Sequence, residues 1–220
     1  MGKVIHFGEN VEGFNIPVLN EREIRAAAGI LFVLMFTSIL TAILKADFTL
    51  LKYAIVLFLA DFAIRVFVNP KFAPTLILGR LIVRNQNPEY VGAKQKKFAW
   101  IIGVLLATTM FVLVVVLNSY SPISGLICMI CLIFLLFESA FGICIGCKVY
   151  PLIYKEKAQY CPGEVCDVKS RHEIQKTSVP QLLIVLAFAA FTVFLVYAFN
   201  DTFIQKPTNL FGVESTVHPE

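Results

Sequence analysis

The chain has 220 residues, of which 58% are hydrophobic and only 15% charged. A soluble domain carries charge on about a quarter of its residues, so water is excluded as the solvent for most of this chain. The formal charge of +4 comes without a basic, aromatic-interleaved soluble domain, which excludes nucleic acid as a partner.

The first 25 residues include Glu9, Glu12, Glu21 and Glu23 and lack a continuous apolar stretch, so no cleavable signal peptide is expected. Met1-Gly2 is followed by His6 where Ser or Thr would be needed for myristoylation. Asn20, Glu21 and Glu23 read as a helix cap in which backbone donors are satisfied reciprocally. The apolar body of the first span then runs from Ala26 to about Leu44, and Lys45-Ala46-Asp47 turns the chain into a second span from Phe48 to Val68. Each block is about the 20 residues that cross a bilayer at 1.5 Å per residue. Asn69-Pro70 ends the second span, because proline excludes helical backbone before it and has no N–H to donate. Residues 71–84 mix apolar side chains with Lys71, Arg80 and Arg84, too short to span and suited to an interfacial helix.

Further spans are expected over Phe98–Leu117, Ile123 to about Lys148, and Pro180–Phe199. The fold class is therefore all-α: a polytopic membrane bundle of about five transmembrane helices plus a short interfacial helix. Residues 1–155 form a four-span core, and 156–220 add a cysteine-containing loop, a fifth helix and a short external tail. Lys and Arg are retained on the cytoplasmic side. Fifteen of them fall before span one, between spans two and three, and between spans four and five; the opposite side has only Lys45 and Lys206. The amino terminus is expected inside and the carboxyl terminus outside. Trp100, Tyr150 and Tyr154 fall where an interfacial aromatic belt would lie.

The six cysteines form three pairs: Cys128 with Cys131, Cys144 with Cys147, and Cys161 with Cys166. The last two pairs lie on the cytoplasmic side, where free thiols, transient redox bonds or metal ligands are expected over structural disulfides. Cys144 and Cys147 either react or pack; Cys128 and Cys131 read as packing residues. On a continuous helix the latter two share a face with Glu138, Gly142 and Gly146, the small-residue face that close helix packing needs. Cys144, Cys147, Cys161 and Cys166 are the donor set for an alternative zinc site, although their spacing only partly meets the standard pattern. His172 reads as a loop residue.

Charges inside a membrane are functional candidates. Asp61 and Arg65 stand four apart and pair on one helical face, either as an internal staple or as a substrate-binding pair. Glu138 has no partner at helical spacing and must find one on another helix or be protonated; it is a candidate proton or substrate site. Lys52 is expected to snorkel.

The run Phe141-Gly142-Ile143-Cys144-Ile145-Gly146-Cys147-Lys148-Val149-Tyr150 resembles the hallmark Phe-Gly-x-Cys-x-Gly-Cys-x-x-Tyr of an uncharacterised bacterial family of small, roughly four-span membrane proteins. Asn69-Pro70-Lys71-Phe72-Ala73-Pro74, Gly79-Arg80 and Lys97-Phe98-Ala99 are similar too, and the resemblance covers about residues 14 to 155. It implies a shared fold, a bacterial inner-membrane location, a special role for Cys144 and Cys147, and thiol or sulfur traffic with thioredoxin-like or rhodanese-like partners. Cys161, Cys166 and the fifth span are additions to that pattern. The leading expectation is a relay of reducing equivalents or sulfane sulfur through Cys144 and Cys147, with Cys161 and Cys166 as the exchange pair and no resident cofactor. The alternatives are a scaffold or accessory subunit, within a larger complex or a homo-oligomer, and a small-solute transporter using Glu138 and Asp61.

Overall fold

The computed structural model describes residues 7–154 and 177–209. A short strand β1 (Val18–Asn20) leads directly into α1 (Glu21–Lys45). Asn20 caps α1 as its sequence suggests, its Oδ1 accepting from the Arg22 N–H at 3.2 Å. Reciprocity fails, however: the Glu23 carboxylate accepts from the Asn20 side chain at 3.0 Å and from Arg80 at 3.1 Å. A left-handed Ala46 ends α1, and α2 (Thr49–Ala63) runs back, closing in a π-helical turn over Ile64–Val68.

A 3-10 turn at Pro70–Phe72 leads to α3 (Pro74–Ile82), which lies across α1 in backbone contact. A Cβ on Gly79 would lie 2.5 Å from the Glu23 carbonyl oxygen, so only glycine allows the crossing. Strand β2 (Tyr90–Gly92) pairs antiparallel with β1, with Leu19 opposite Val91. Helix α4 (Ala93–Met110) continues as a π turn over Phe111–Val116. Strand β3 (Ser119–Tyr120) precedes α5 (Pro122–Phe141), whose amino end carries a reciprocal Ser121–Ser124 capping box. Then follow α6 (Ile145–Tyr154), α7 (Val179–Ile204) and β4 (Thr208–Asn209), which pairs parallel with β3.

Among the described residues, four helices are long and apolar enough to cross a membrane: α1, α4 with its π turn, α5 and α7. Outward-facing Val33, Leu105, Leu126 and Leu186 are each more than half exposed, a surface matched to lipid tails rather than water. Residues 49–68, expected as another span, are helical throughout but carry Lys52, Asp61 and Arg65, all buried. The core joins Ala27, Ala28, Leu31 and Met35 of α1 to Ala54, Ile55 and Phe58 of α2 and to Trp100, Ala107 and Met110 of α4. Alanines at the crossings let the backbones approach closely.

Three further expectations need correction. Span four does not continue to Lys148: α5 ends at Phe141 and α6 begins anew at Ile145. Lys52 does not snorkel; its Nζ donates to Asn118 Oδ1 at 2.7 Å and to the Gln205 carbonyl at 2.6 Å, tying α2 to the segments after α4 and α7. Trp100 and Tyr150 are buried within the bundle and make no aromatic belt; Trp100 meets Phe7 edge-on, and Tyr150 meets Phe98.

Candidate functional site

The break between α5 and α6 builds the site. Gly142 adopts φ +65°, a left-handed backbone that favours glycine, and its N–H and that of Ile143 both return to the Phe137 carbonyl. An added Cβ there would also lie 3.1 Å from the Arg25 guanidinium. The helix ends there, which leaves Cys144 immediately before the first residue of α6 and Cys147 in its first turn. The Cys147 N–H donates to Cys144 Sγ at 3.3 Å, the contact that an N-cap side chain makes with an orphan helix donor. The pair was expected at the carboxyl end of a helix, where the dipole opposes negative charge. It lies instead at an amino end, where the dipole and free N–H groups favour it.

Both thiols are free and half-buried. A side-chain hydrogen bond with Cys144, distinct from the backbone one, keeps the proton on the Cys147 sulfur and pushes that thiol above the ordinary range; burial adds to this, while the Lys96 ammonium opposes it. Gly146 presses against α4: a Cβ there would lie 2.6 Å from the Ala99 Cβ and 2.8 Å from its Cα. Gly142 and Gly146 therefore do separate work, one capping and one packing, and do not form a single helical face.

A cavity of about 40 Å³ lies beside Cys144, its wall including Phe58, Phe62, Trp100, Cys131, Glu138 and Cys144 itself. Glu138 finds its partner on another helix: Lys96 Nζ donates to Glu138 Oε1 at 2.7 Å and lies 2.7 Å from Glu21 Oε2. Three elements, α1, α4 and α5, thus meet in one buried ion triad. Lys96 and Glu138 both act electrostatically on the Cys147 sulfur.

Cys128 and Cys131 are buried on the inner face of α5 with Ser124 and Leu135, as packing residues would be, and Cys131 also borders the cavity. Asp61 and Arg65 pair at 2.8 Å and are sealed from solvent. Thr75 joins them: its N–H and Oγ1 donate to Asp61 at 2.9 and 2.7 Å, and Arg65 Nη2 donates to Thr75 Oγ1 at 2.6 Å. The Arg65 guanidinium also lies over the Phe62 and Trp100 rings. This knot fastens α2 to α3 and backs the Phe62 and Trp100 wall of the cavity. Cys161, Cys166 and His172 lie outside the described residues. Among the described residues no group of three or more His, Cys, Asp or Glu side chains is arranged to hold a metal ion.

Lys96 and Glu21 were missed by sequence reasoning, which took the first as a topology signal and the second as part of a helix cap. A helical-spacing signal was available. Lys96, Trp100, Gly103, Ala107 and Met110 recur at three- and four-residue steps, which marks an inward stripe with a lysine on it.

These features define a class: a helical, multi-pass membrane protein with a cysteine pair at a helix amino terminus, backed by a buried ion triad. The chain belongs to the family described as Domain of unknown function (DUF4395), whose model matches residues 19–155. No curated protein and no solved structure matches the chain.

Proposed function

We propose that this is a bacterial inner-membrane thiol relay that exchanges reducing equivalents with protein disulfides at the cytoplasmic face through Cys144 and Cys147. The observation that carries this reading is the 3.3 Å hydrogen bond from the Cys147 N–H to Cys144 Sγ at the start of α6. An N–H aimed at a sulfur from a helix amino terminus stabilises charge on that sulfur. Cys144 is then the attacking thiol, and Cys147, which holds its proton, is the resolving one. Cys144 attacks a partner disulfide, one partner sulfur leaves, and a mixed disulfide forms. The Cys147 sulfur then attacks Cys144, the partner departs as a dithiol, and an internal disulfide remains. Two electrons pass to the partner, and a thioredoxin-like dithiol returns the pair to its reduced form. Cys161 and Cys166 serve as the exchange pair in this scheme.

The cytoplasmic assignment, with the amino terminus inside and the carboxyl terminus outside, is supported by the 15 to two distribution of positive charge. It is also supported by the alternation of helix ends. Residues near Lys52, Asn118 and Gln205 meet at one end of the bundle, whereas Glu21, Lys96 and Glu138 meet at the other.

The testing experiment is a redox titration of purified full-length protein against a glutathione buffer, read by peptide mass spectrometry. Reversible loss of two hydrogens from the Cys144–Cys147 peptide is expected. A pair that stays reduced across the range rejects the reading.

A further inference from the structure

We infer that the cavity between α1, α4 and α5 is a binding site for Cu(I), with Met35, Met110, Cys128 and Cys131 as its donors. The inference rests on none of the thiol exchange proposed at α6. Met35 comes from α1, Met110 from α4 and the two cysteines from α5; all four are buried, and all four line one cavity of about 10 Å³. The rest of its wall includes Ile55, Phe58 and Ala107, so the side-chain donors that border it are sulfurs.

Helix geometry brings these sulfurs together. Met35 stands 14 residues along α1 from Glu21, and Met110 stands 14 along α4 from Lys96, a rise of about 21 Å in each helix. Glu21 and Lys96 meet at 2.7 Å at one end of the bundle. Equal rises therefore return the two methionines to a common depth, inside a hydrocarbon layer of about 30 Å. Cys128 and Cys131 stand three apart on the inner face of α5, where they are neighbours. Met129, between them in sequence, points outward.

The donor set selects the metal. Thioether and thiolate sulfurs are soft donors, whereas Ca²⁺ and Mg²⁺ require oxygen. Structural zinc fills four positions with Cys, His or carboxylate, and an Fe–S cluster takes four thiolates; this wall offers two cysteines. It adds no third His, Cys, Asp or Glu, in keeping with the lack of such a group among the described residues; the methionines complete the set. Cu(I) bound by one thiolate and neutral sulfurs is a neutral complex, the form in which a cation is tolerated inside a span. The volume suits a bare ion and is at the lower limit for a water.

Cys131 borders both this cavity and the one that Cys144 borders, so an ion arriving on Cys144 has a sulfur to move to. The exchange balances. The receiving thiol gives up its proton as it binds the ion, and the sulfur that releases the ion takes a proton up. Copper stays Cu(I) throughout, and no oxidant or reductant is consumed.

The test is an anaerobic equilibrium titration of full-length protein in nanodiscs with Cu(I), competed against bathocuproine disulfonate. Wild type should hold about one Cu(I) more than Cys128→Ser with Cys131→Ser, and that ion should show a sulfur-only shell by X-ray absorption. Met35→Leu with Met110→Leu keeps side-chain volume and should weaken that ion at least tenfold; it carries the test where the serine variant does not fold. Cys144→Ser should fill the buried site more slowly than wild type. Equal stoichiometry in wild type and the folded serine variant, or unchanged affinity in the leucine variant, overturns the site and returns the four sulfurs to packing. Retention of zinc in preference to Cu(I) overturns the choice of metal, and an unchanged filling rate in Cys144→Ser overturns the route.

Discussion

The backbone N–H of Cys147 donates to Cys144 Sγ at 3.3 Å, so the two cysteines have unequal surroundings although both are half-buried. Cys147→Ser keeps that amide and removes the resolving thiol. This variant should accumulate a mixed disulfide on Cys144 with a thioredoxin-like partner under mild oxidant. Cys144→Ser should accumulate none on Cys147, since the remaining thiol lacks the helix-end donor. Nonreducing gels with peptide mapping decide it, and equal trapping by both variants refutes the asymmetry.

Cys147 also gives a pH-dependent stability. Its folded thiol is pushed above the ordinary value of 9.0 by its side-chain hydrogen bond with Cys144 and by burial, so the folded state retains a proton that the unfolded state releases. Its contribution is full below that value and declines as pH rises above it. Tyr90, whose phenol burial pushes up to about 12 from 10.0, adds a second decline only above 10.0. Unfolding curves between about pH 8 and pH 10 should fall less steeply for Cys147→Ser than for wild type, by at most about 1.4 kcal/mol per pH unit. Parallel curves would contradict the shift.

Gly146 sets the distance between α6 and α4. A methyl group there meets both the Cβ and the Cα of Ala99, so Gly146→Ala should destabilise by about 1–3 kcal/mol, as overpacking does. It should also slow closure of the Cys144–Cys147 disulfide by tilting α6. Ala99→Gly in the same chain should recover part of the thermal stability; full stability in the single variant would show that α6 moves freely.

The Asp61, Arg65 and Thr75 knot is sealed from solvent. Removing one charge strands the other, so Asp61→Asn should cost about 3–5 kcal/mol in reversible detergent unfolding. The double variant Asp61→Asn with Arg65→Met should regain part of that loss. If the single substitution is silent, the knot is not what fastens α2 to α3.

For topology, single cysteines at Asn87 and Thr208 occupy exposed positions at opposite ends of the bundle. An impermeant maleimide added to intact cells should label the second and spare the first. The opposite pattern would put Cys144 and Cys147 outside the cytoplasm and remove the thioredoxin-like partner.

The helices, their order and the pairing of Asp61 with Arg65 were legible because they depend on block length and on spacing within one helix. Asn20 as a cap was legible for the same reason. What the sequence hid was tertiary. Lys96 is one lysine in the run Lys94-Gln95-Lys96-Lys97; its spacing with Trp100 marks the inward stripe, but only the fold sets it between Glu21 and Glu138 while Lys94 stays exposed. The apolar run from Phe141 through Ile145 gives no periodicity break, so Gly142 read as a packing glycine, although its left-handed backbone ends the helix. That one dihedral converts the cysteines from the tail of a long helix to the head of a short one. Trp100 misled for a related reason: its place near the membrane boundary suggested an interfacial anchor, but its stripe on α4 points into the core.

Helix α7 is attached largely at its extremities. Gln181 Nε2 donates to the Lys71 carbonyl at 3.0 Å near its beginning; Lys52, Thr49 and β3 hold the segment around Phe203, Gln205 and Thr208 at its end. Between these moorings its buried side chains reduce to Leu195, and Tyr197 is almost wholly exposed. The stretch shared with the family stops at residue 155, before α7 begins. The helix therefore stands outside the stretch shared with the family, and substitutions along its long outer face should leave the contacts around α6 in place.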